Sequence, residues 1–364
     1  GVHTGRLRAA RHHGGHRRAA GERRWSGLDL GCCWGSVLSG QRPGTLDVGD
    51  LVDKALDGRK GALSRLVGLF EDQRPAALEQ RAAVVATLEA AGVAPDAVVL
   101  GITGTPGSGK SSLVARLTAA MLEHDLTLSI GVVAVDPSSH LSGGSLLGDR
   151  TRLRPSADSG RLFFRSQASA TELGGLGPSS FQVCRLMAYL FDLVLVETVG
   201  VGQSEADIRH LADQVYLVLA PLGGDEVQFL KAGIIEVPHA FVLNKCDEPS
   251  AMQSYNHLQN SLWLARPFDE APVPMYRTSA KTGEGVDELA AVMRAVLTAD
   301  HPGIIGREPH FFGRWVKDEW GRVGMSHLDA SLGGAEAWLA TCGSFESAQG
   351  SFASSLRTTL TQHD

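Results

Sequence analysis

The apolar positions of this chain change period along its length. From Leu46 they recur at three- and four-residue spacing: Val48, Leu51, Val52, Ala55 and Leu56, then Leu63, Leu66, Val67 and Phe70. That spacing gathers them on one face of a helix. Gly58 and Gly61 separate the first two helical stretches. Pro75 opens a third, where its missing N–H would be unpaired anyway. The third stretch runs through Val84, Val85, Leu88 and Ala91 to Gly92. An N-terminal helical layer over residues 47–94 is predicted.

Short apolar runs then alternate with helical stretches. Strands are predicted at 98–102, 128–135, 162–165, 193–198, 215–220, 240–243 and 273–278. Helices are predicted after Lys110, Pro178, Ser204, Asp225, Pro249 and Glu284. Continuous runs such as Leu193-Val194-Leu195-Val196 suit a sheet buried on both faces. The alternation predicts an α/β domain over residues 95–300, a mostly parallel sheet flanked by helices. Beyond His301-Pro302-Gly303 the pattern turns irregular. A short amphipathic piece from Phe311 to Met325 precedes a Gly/Ser-rich stretch and a last helix near residues 352–360. Residues 301–364 are read as a C-terminal helical extension and a candidate dimerisation region.

Composition adds mainly exclusions. An apolar fraction of 43% and a charged fraction of 20% are those of a globular protein. The net charge of −6 is mild, and no basic, aromatic-interleaved stripe appears. No nucleic-acid partner is expected. No apolar run approaches the roughly 20 residues of a membrane span, so no membrane partner is expected either. Cys32, Cys33, Cys184, Cys246 and Cys342 are odd in number and form no C-x-x-C pair. That argues against a disulfide framework or a zinc knuckle and suits a reducing compartment. The expected location is the cytoplasm, or the mitochondrial matrix in a eukaryote.

Residues 1–46 read differently, being rich in Arg, Gly, His and Trp with only Glu22 and Asp29 acidic. An organellar transit peptide and a metal-binding tail through His12, His13 and His16 are two readings of them. The preferred reading is a disordered or spurious extension without function.

The chemistry begins at Gly104-Thr105-Pro106-Gly107-Ser108-Gly109-Lys110-Ser111, with Ser112 following. This fits G-x-x-x-x-G-K-[ST] between a predicted strand and a predicted helix, the context that gives a P-loop its meaning. Backbone N–H groups would turn inward around a phosphate, and the helix N-terminus adds partial positive charge. Lys110 would reach the β- and γ-phosphates, and the Ser111 hydroxyl would ligate Mg²⁺.

Asn244-Lys245-Cys246-Asp247 closes the predicted strand at 240–243 and matches N-K-x-D. Asp247 can accept from guanine N1–H and the N2 amino group, a pair that adenine lacks. Asn244 would bond near N7 or tie its loop to the P-loop, and the Lys245 stem would lie over the base. Ser279-Ala280-Lys281 follows the next strand, where a backbone N–H could meet guanine O6; a plain polar turn is the alternative. Glu197-Thr198-Val199-Gly200 stands where most GTPases carry D-x-x-G. Glu197 would hold Mg²⁺ through water, and the Gly200 N–H would sense the γ-phosphate. Val201 occupies the place of the water-orienting Gln of small GTPases, with Gln203 two residues on. Slow intrinsic hydrolysis is therefore expected, awaiting a group from a partner. Asp136 and Asp149 flank a glycine-rich stretch and suit either Mg²⁺ ligation or helix capping. The candidate catalytic residues are Lys110, Asp136 and Glu197; the candidate metal ligands are Ser111, Asp136, Asp149 and Glu197.

The segments at 133–139, 142–152, 196–205 and 223–236 (VAVDPSS, SGGSLLGDRTR, VETVGVGQSE, GGDEVQFLKAGIIE) resemble the MeaB/ArgK/MMAA family of P-loop GTPases. The likeness spans roughly residues 47–300. It implies a GTPase chaperone, binding GTP/GDP and Mg²⁺, for an adenosylcobalamin-dependent acyl-CoA mutase such as methylmalonyl-CoA mutase. It also implies a homodimer. Pro238-His239 replaces the family's usual Ala-Asp, and residues 315–322 do not match its usual dimerisation arm. Three rival readings stand beside it. One is a nickel metallochaperone of the HypB or UreG kind, supported by the His-rich tail. Another is a kinase acting on a transport protein. The last is a nucleotide-dependent scaffold with little turnover.

Overall fold

Strand β1 (Val98–Gly104) occupies the middle of a seven-stranded sheet and delivers the chain to the P-loop. The computed structural model describes residues 47–136, 160–168, 176, 178–198, 204–221, 238–265 and 273–361. The other strands are β2 (Ile130–Asp136), β3 (Leu162–Ala168), β4 (Leu193–Thr198), β5 (Gln214–Leu219), β6 (Ala240–Leu243) and β7 (Met275–Arg277). Their order is β3-β2-β4-β1-β5-β6-β7, and every pairing is parallel. Each predicted strand is present, β4 and β6 with the predicted ends and the others with shifted ones.

The sheet is buried on both faces, as its continuous apolar runs require. Side chains alternate across a strand. Val98, Leu100 and Ile102 of β1 therefore pack with α4 (Lys110–His124) and α8 (Val286–Ala295). Val99, with Val194 and Val196 of β4, faces the opposite core. That second core collects α1 (Val48–Leu56), α2 (Lys60–Glu71), α3 (Pro75–Ala90), α5 (Pro178–Leu190) and α6 (Ser204–Leu211). A smaller cluster joins Leu217, Leu219, Phe241 and Leu243 to Leu258 and Leu262 of α7 (Ala251–Ala265). The helix predicted after Asp225 lies outside the described residues.

The predicted N-terminal layer forms as its spacing requires. Asp47 caps α1 by accepting from the Asp50 amide at 3.1 Å. Pro75 stands in the first turn of α3. Glu71 at the end of α2 accepts from Gln167 at 3.0 Å and pairs with Arg165, which fastens this layer to β3.

The C-terminal region is the helical extension expected, with more of its length helical than the spacing predicts. It folds as α9 (Glu308–Ser331, bent at Gly321), α10 (Ala335–Cys342) and α11 (Phe345–Thr361). Within the Gly/Ser-rich stretch glycines mark the breaks between helices, Gly333 and Gly334 before α10 and Gly343 after it. Between them Leu328, Leu339, Phe345, Phe352 and Leu356 are buried in the core shared with α1–α3 and α5. Tertiary burial overrides the weak helix propensity of Ser and Gly. Arg185 of α5 sits at the centre of this junction, paired with Glu308 at 2.6 Å and with Glu346. At Pro238-His239, His239 Nδ1 accepts from the Val215 amide at 3.0 Å.

Candidate functional site

The site lies at the carboxyl ends of β1, β4 and β6. In open parallel sheets ligands bind beyond those ends, where the strand order reverses. β1 has β4 on one side and β5 on the other, so the loop after it stands at such a reversal.

Two glycines let the P-loop form. Gly104 has φ +142°, and a Cβ there would stand 1.9 Å from the Val218 carbonyl oxygen of β5. Gly109 has φ +84°, and a Cβ there would stand 2.7 Å from Asn244 Nδ2. Both positions combine a left-handed backbone with contact. We expect Gly104→Ala to lower stability by at least about 2 kcal/mol, because backbone must move to admit the methyl group. Urea unfolding followed by circular dichroism measures this; an unchanged midpoint would contradict the contact.

Lys110 opens α4 and is buried. Its Nζ donates to the Gly104 and Thr105 carbonyls at 2.7 and 2.9 Å. The ammonium is thus held against the loop's own rim. Beside it, Ser111 Oγ donates to Glu197 Oε1 at 2.7 Å. Glu197 is buried at the end of β4, in register with Ile102 of β1 and Ala134 of β2. A hydroxyl and a carboxylate together are a hard oxygen donor set, which fits Mg²⁺. Asp136 ends β2 opposite Ala168 of β3, on the strand adjoining that of Glu197. Asp149, Gly200, Val201 and Gln203 lie outside the described residues, as do the segments 137–152 and 223–236.

The loop after β6 is joined to the P-loop directly, and the loop after β7 through it. Asn244 is buried, and of its two sequence-derived alternatives it takes the tie. Its Nδ2 donates to the Ser108 carbonyl at 2.8 Å, and its Oδ1 accepts from the Ala280 amide at 3.0 Å. The Ala280 amide therefore has a side-chain acceptor already. Lys245 adopts a left-handed φ of 61°, which turns the chain between Asn244 and Asp247. Asp247 Oδ1 accepts from Ser279 Oγ at 2.6 Å, and Lys281 Nζ stands 3.4 Å from Oδ2. The Ser279 hydroxyl, with Lys281 adding to it, holds the Asp247 carboxyl below the usual carboxylate range.

Arg116 was not singled out from sequence. From the exposed face of α4 it donates to the Ala280 carbonyl at 3.1 Å and to the Lys281 carbonyl at 3.4 Å, bracing the third loop. An arginine on a helix surface gives no sequence signal for this. Among the described residues no group of three or more His, Cys, Asp or Glu side chains is placed to hold a metal ion. Cys184 is buried in the core, and burial pushes its thiol up to about 12. Cys246 is half-buried and donates to the Leu243 carbonyl at 3.1 Å. Among the described residues no helix is long and apolar enough to cross a membrane.

Comparison with known proteins agrees with this geometry. The profile of the family described as methylmalonyl Co-A mutase-associated GTPase MeaB matches residues 63–308. A protein of Pyrococcus horikoshii that carries a GTPase name is 39% identical over 247 residues, covering 66% of this chain and 75% of its own. GTPase ArgK of Escherichia coli is 36% identical over 52% of this chain and 58% of its own. The mouse mitochondrial methylmalonic aciduria type A homolog is 38% identical over 54% of this chain and 48% of its own. A solved structure described as a LAO/AO transport system kinase shares the fold, with a TM-score of 0.56 at 21% identity. It covers 88% of this chain and 100% of its own. On the match over residues 63–308, the chain is a P-loop GTPase and belongs to the methylmalonyl-CoA mutase-associated GTPase MeaB family.

Proposed function

We propose that this GTPase is a chaperone for an adenosylcobalamin-dependent acyl-CoA mutase such as methylmalonyl-CoA mutase. It gates cofactor loading and protects the mutase. The observation that carries the reading is the family match, which runs from the helical layer through the P-loop and the guanine loop to the first residue of α9. The reaction is attack of water on the γ-phosphorus of GTP, giving GDP and inorganic phosphate.

The chain's own groups have definable parts in that reaction. The loop amides from Gly107 to Ser111 would cradle the phosphate oxygens at the N-terminus of α4. Lys110 would exchange its two carbonyl partners for β- and γ-phosphate oxygens. Because it is already buried, the exchange costs little further desolvation. Ser111 and Glu197, with Asp136 and Asp149 as further carboxylates, would hold Mg²⁺. The ion, when bound, supplies positive charge to the phosphate oxygens. Asp247 would accept from guanine N1–H and N2, held in place by Ser279.

Loss of the γ-phosphate would release the segments 136–152 and 197–210, with 224–228 as a third responsive stretch. Such a change would pass the nucleotide state to the mutase. The working form is proposed as a homodimer, located in the cytoplasm or the mitochondrial matrix.

Calorimetry with a cobalamin-dependent methylmalonyl-CoA mutase tests the chaperone reading. The full chain is titrated without nucleotide, with GDP, and with a non-hydrolysable GTP analogue. Affinity is expected to differ at least about tenfold between nucleotide states, a coupling of about 1.4 kcal/mol. No binding in any state, or identical binding in all, would remove the chaperone reading and leave the GTPase standing.

A further inference from the structure

A cavity of about 520 Å³ opens where α2, α3, α5, α9 and α11 meet. A space of that size takes a small-molecule ligand. No residue of the P-loop or of the guanine loops lines it. Its apolar walls include Phe181 and Phe311, stacked with centroids 4.2 Å apart, and Trp315 and Phe345.

Its buried polar groups are short of partners. Arg81, Gln182 and Gln349 line the cavity and are 6%, 5% and 8% exposed. Arg81 Nη1 donates to the Asp72 carbonyl at 3.1 Å. Among the described residues its Nε has no hydrogen-bond partner, and neither has Gln182 Oε1 or Gln349 Oε1. Asp72 and Glu346 attract the Arg81 charge from a distance, but their ion pairs are with Arg74 and Arg185. At the rim the exposed acids Asp318 and Glu319 stand among Arg74, Arg314 and Arg357.

Buried polar groups nearly always have hydrogen-bond partners, and buried charges have counter-charges. Orphaned buried groups around one aromatic-walled space point to a partner that is both flat and charged. We propose that this cavity binds a small anionic molecule with a flat apolar body. The anion pairs with Arg81, the body lies against the aromatic rings, and polar substituents meet Gln182 and Gln349. The proposal is independent of the chaperone reading, since no nucleotide-site residue takes part.

Two fluorescent probes test it on the full chain. One is 8-anilinonaphthalene-1-sulfonate, a flat anion. The other is N-phenyl-1-naphthylamine, its uncharged relative. The folded wild type is expected to bind the anionic dye saturably, at about one per chain. Arg81→Met keeps the apolar stem and removes the charge. It is expected to weaken the anionic dye at least about tenfold and leave the neutral dye unchanged. Ala353→Trp fills the cavity and is expected to abolish binding of both.

Absence of saturable binding overturns the proposal and leaves the cavity to water. So does equal wild-type affinity for the two dyes, or binding that survives Ala353→Trp. Dye that enters only on dilution to monomers puts a second copy in the cavity and also overturns it. Should Arg81→Met fail to fold, the dye comparison and Ala353→Trp decide.

Discussion

Lys110→Ala is expected to lower GTP turnover by about 10²–10³-fold, the usual effect of removing one preorganised group from developing transition-state charge. The size of the effect follows from where the ammonium sits. Lys110 is buried at the first residue of α4, and its Nζ is fixed by two carbonyls of the same loop. Its charge is therefore positioned before the nucleotide arrives. In low dielectric a fixed charge acts more strongly than one in water. Lys110→Arg is expected to fail as well, because a planar fork cannot take the place of a compact ammonium between those two carbonyls. Single-turnover hydrolysis, with the fold checked by circular dichroism, is the measurement. Turnover within about twofold of wild type would sink the assignment of the P-loop as the hydrolytic centre.

The expectation separates charge from scaffold. Asn244 is bonded to the Ser108 carbonyl whatever stands at position 110, so the loop keeps its tie to β6. Ser111 likewise keeps Glu197 at 2.7 Å. Removing the ammonium should therefore spare nucleotide binding more than it spares hydrolysis.

The strands were legible because each is a short apolar run bounded by turn residues, and a parallel sheet buried on both faces demands such runs. Leu193–Thr198 is the plainest case, and it is buried along its whole length. The P-loop was legible because its glycines are needed by backbone geometry, as the approach of Val218 to Gly104 demonstrates. The C-terminal extension was legible as helical, but the bounds of its helices were not. The glycines and serines between its two apolar pieces read as loop, and what makes that stretch helical is burial against α3 and α5, partners more than a hundred residues distant. For the same reason the cluster of Arg185 with Glu308 and Glu346 carries no local signal. Within the site, Asn244 offered two roles on paper. Only the fold could choose, because Ser108 and Ala280 reach it from separate loops. The contacts of Arg116 with the Ala280 and Lys281 carbonyls were invisible for the same geometric reason.

Asp247→Asn is expected to weaken GTP by roughly 10²–10⁴-fold, since two hydrogen bonds to a charged acceptor are altered. One carboxylate oxygen becomes an NH₂ group, which faces the N2 amino group of guanine donor to donor. Xanthine carries a carbonyl oxygen at that position. The same variant should therefore bind xanthosine triphosphate better than wild type does. The surroundings favour a clean exchange. Ser279 Oγ donates to Oδ1 at 2.6 Å, and an amide oxygen can still accept that bond. Lys281 loses a charge partner at 3.4 Å, but its side chain is largely exposed, so the loss is small. The wild-type pH dependence follows from the same contacts. The Ser279 hydroxyl lowers the folded-state pKa of Asp247, so guanine recognition persists as pH falls through the ordinary carboxylate range. It is lost only as pH falls through that lower value, where the carboxylate takes up a proton. In Asp247→Asn this acid limb should vanish for both nucleotides. Fluorescent-nucleotide titrations across pH measure both effects. Equal weakening of the two nucleotides, or an acid limb that survives in the variant, would place guanine recognition on another residue.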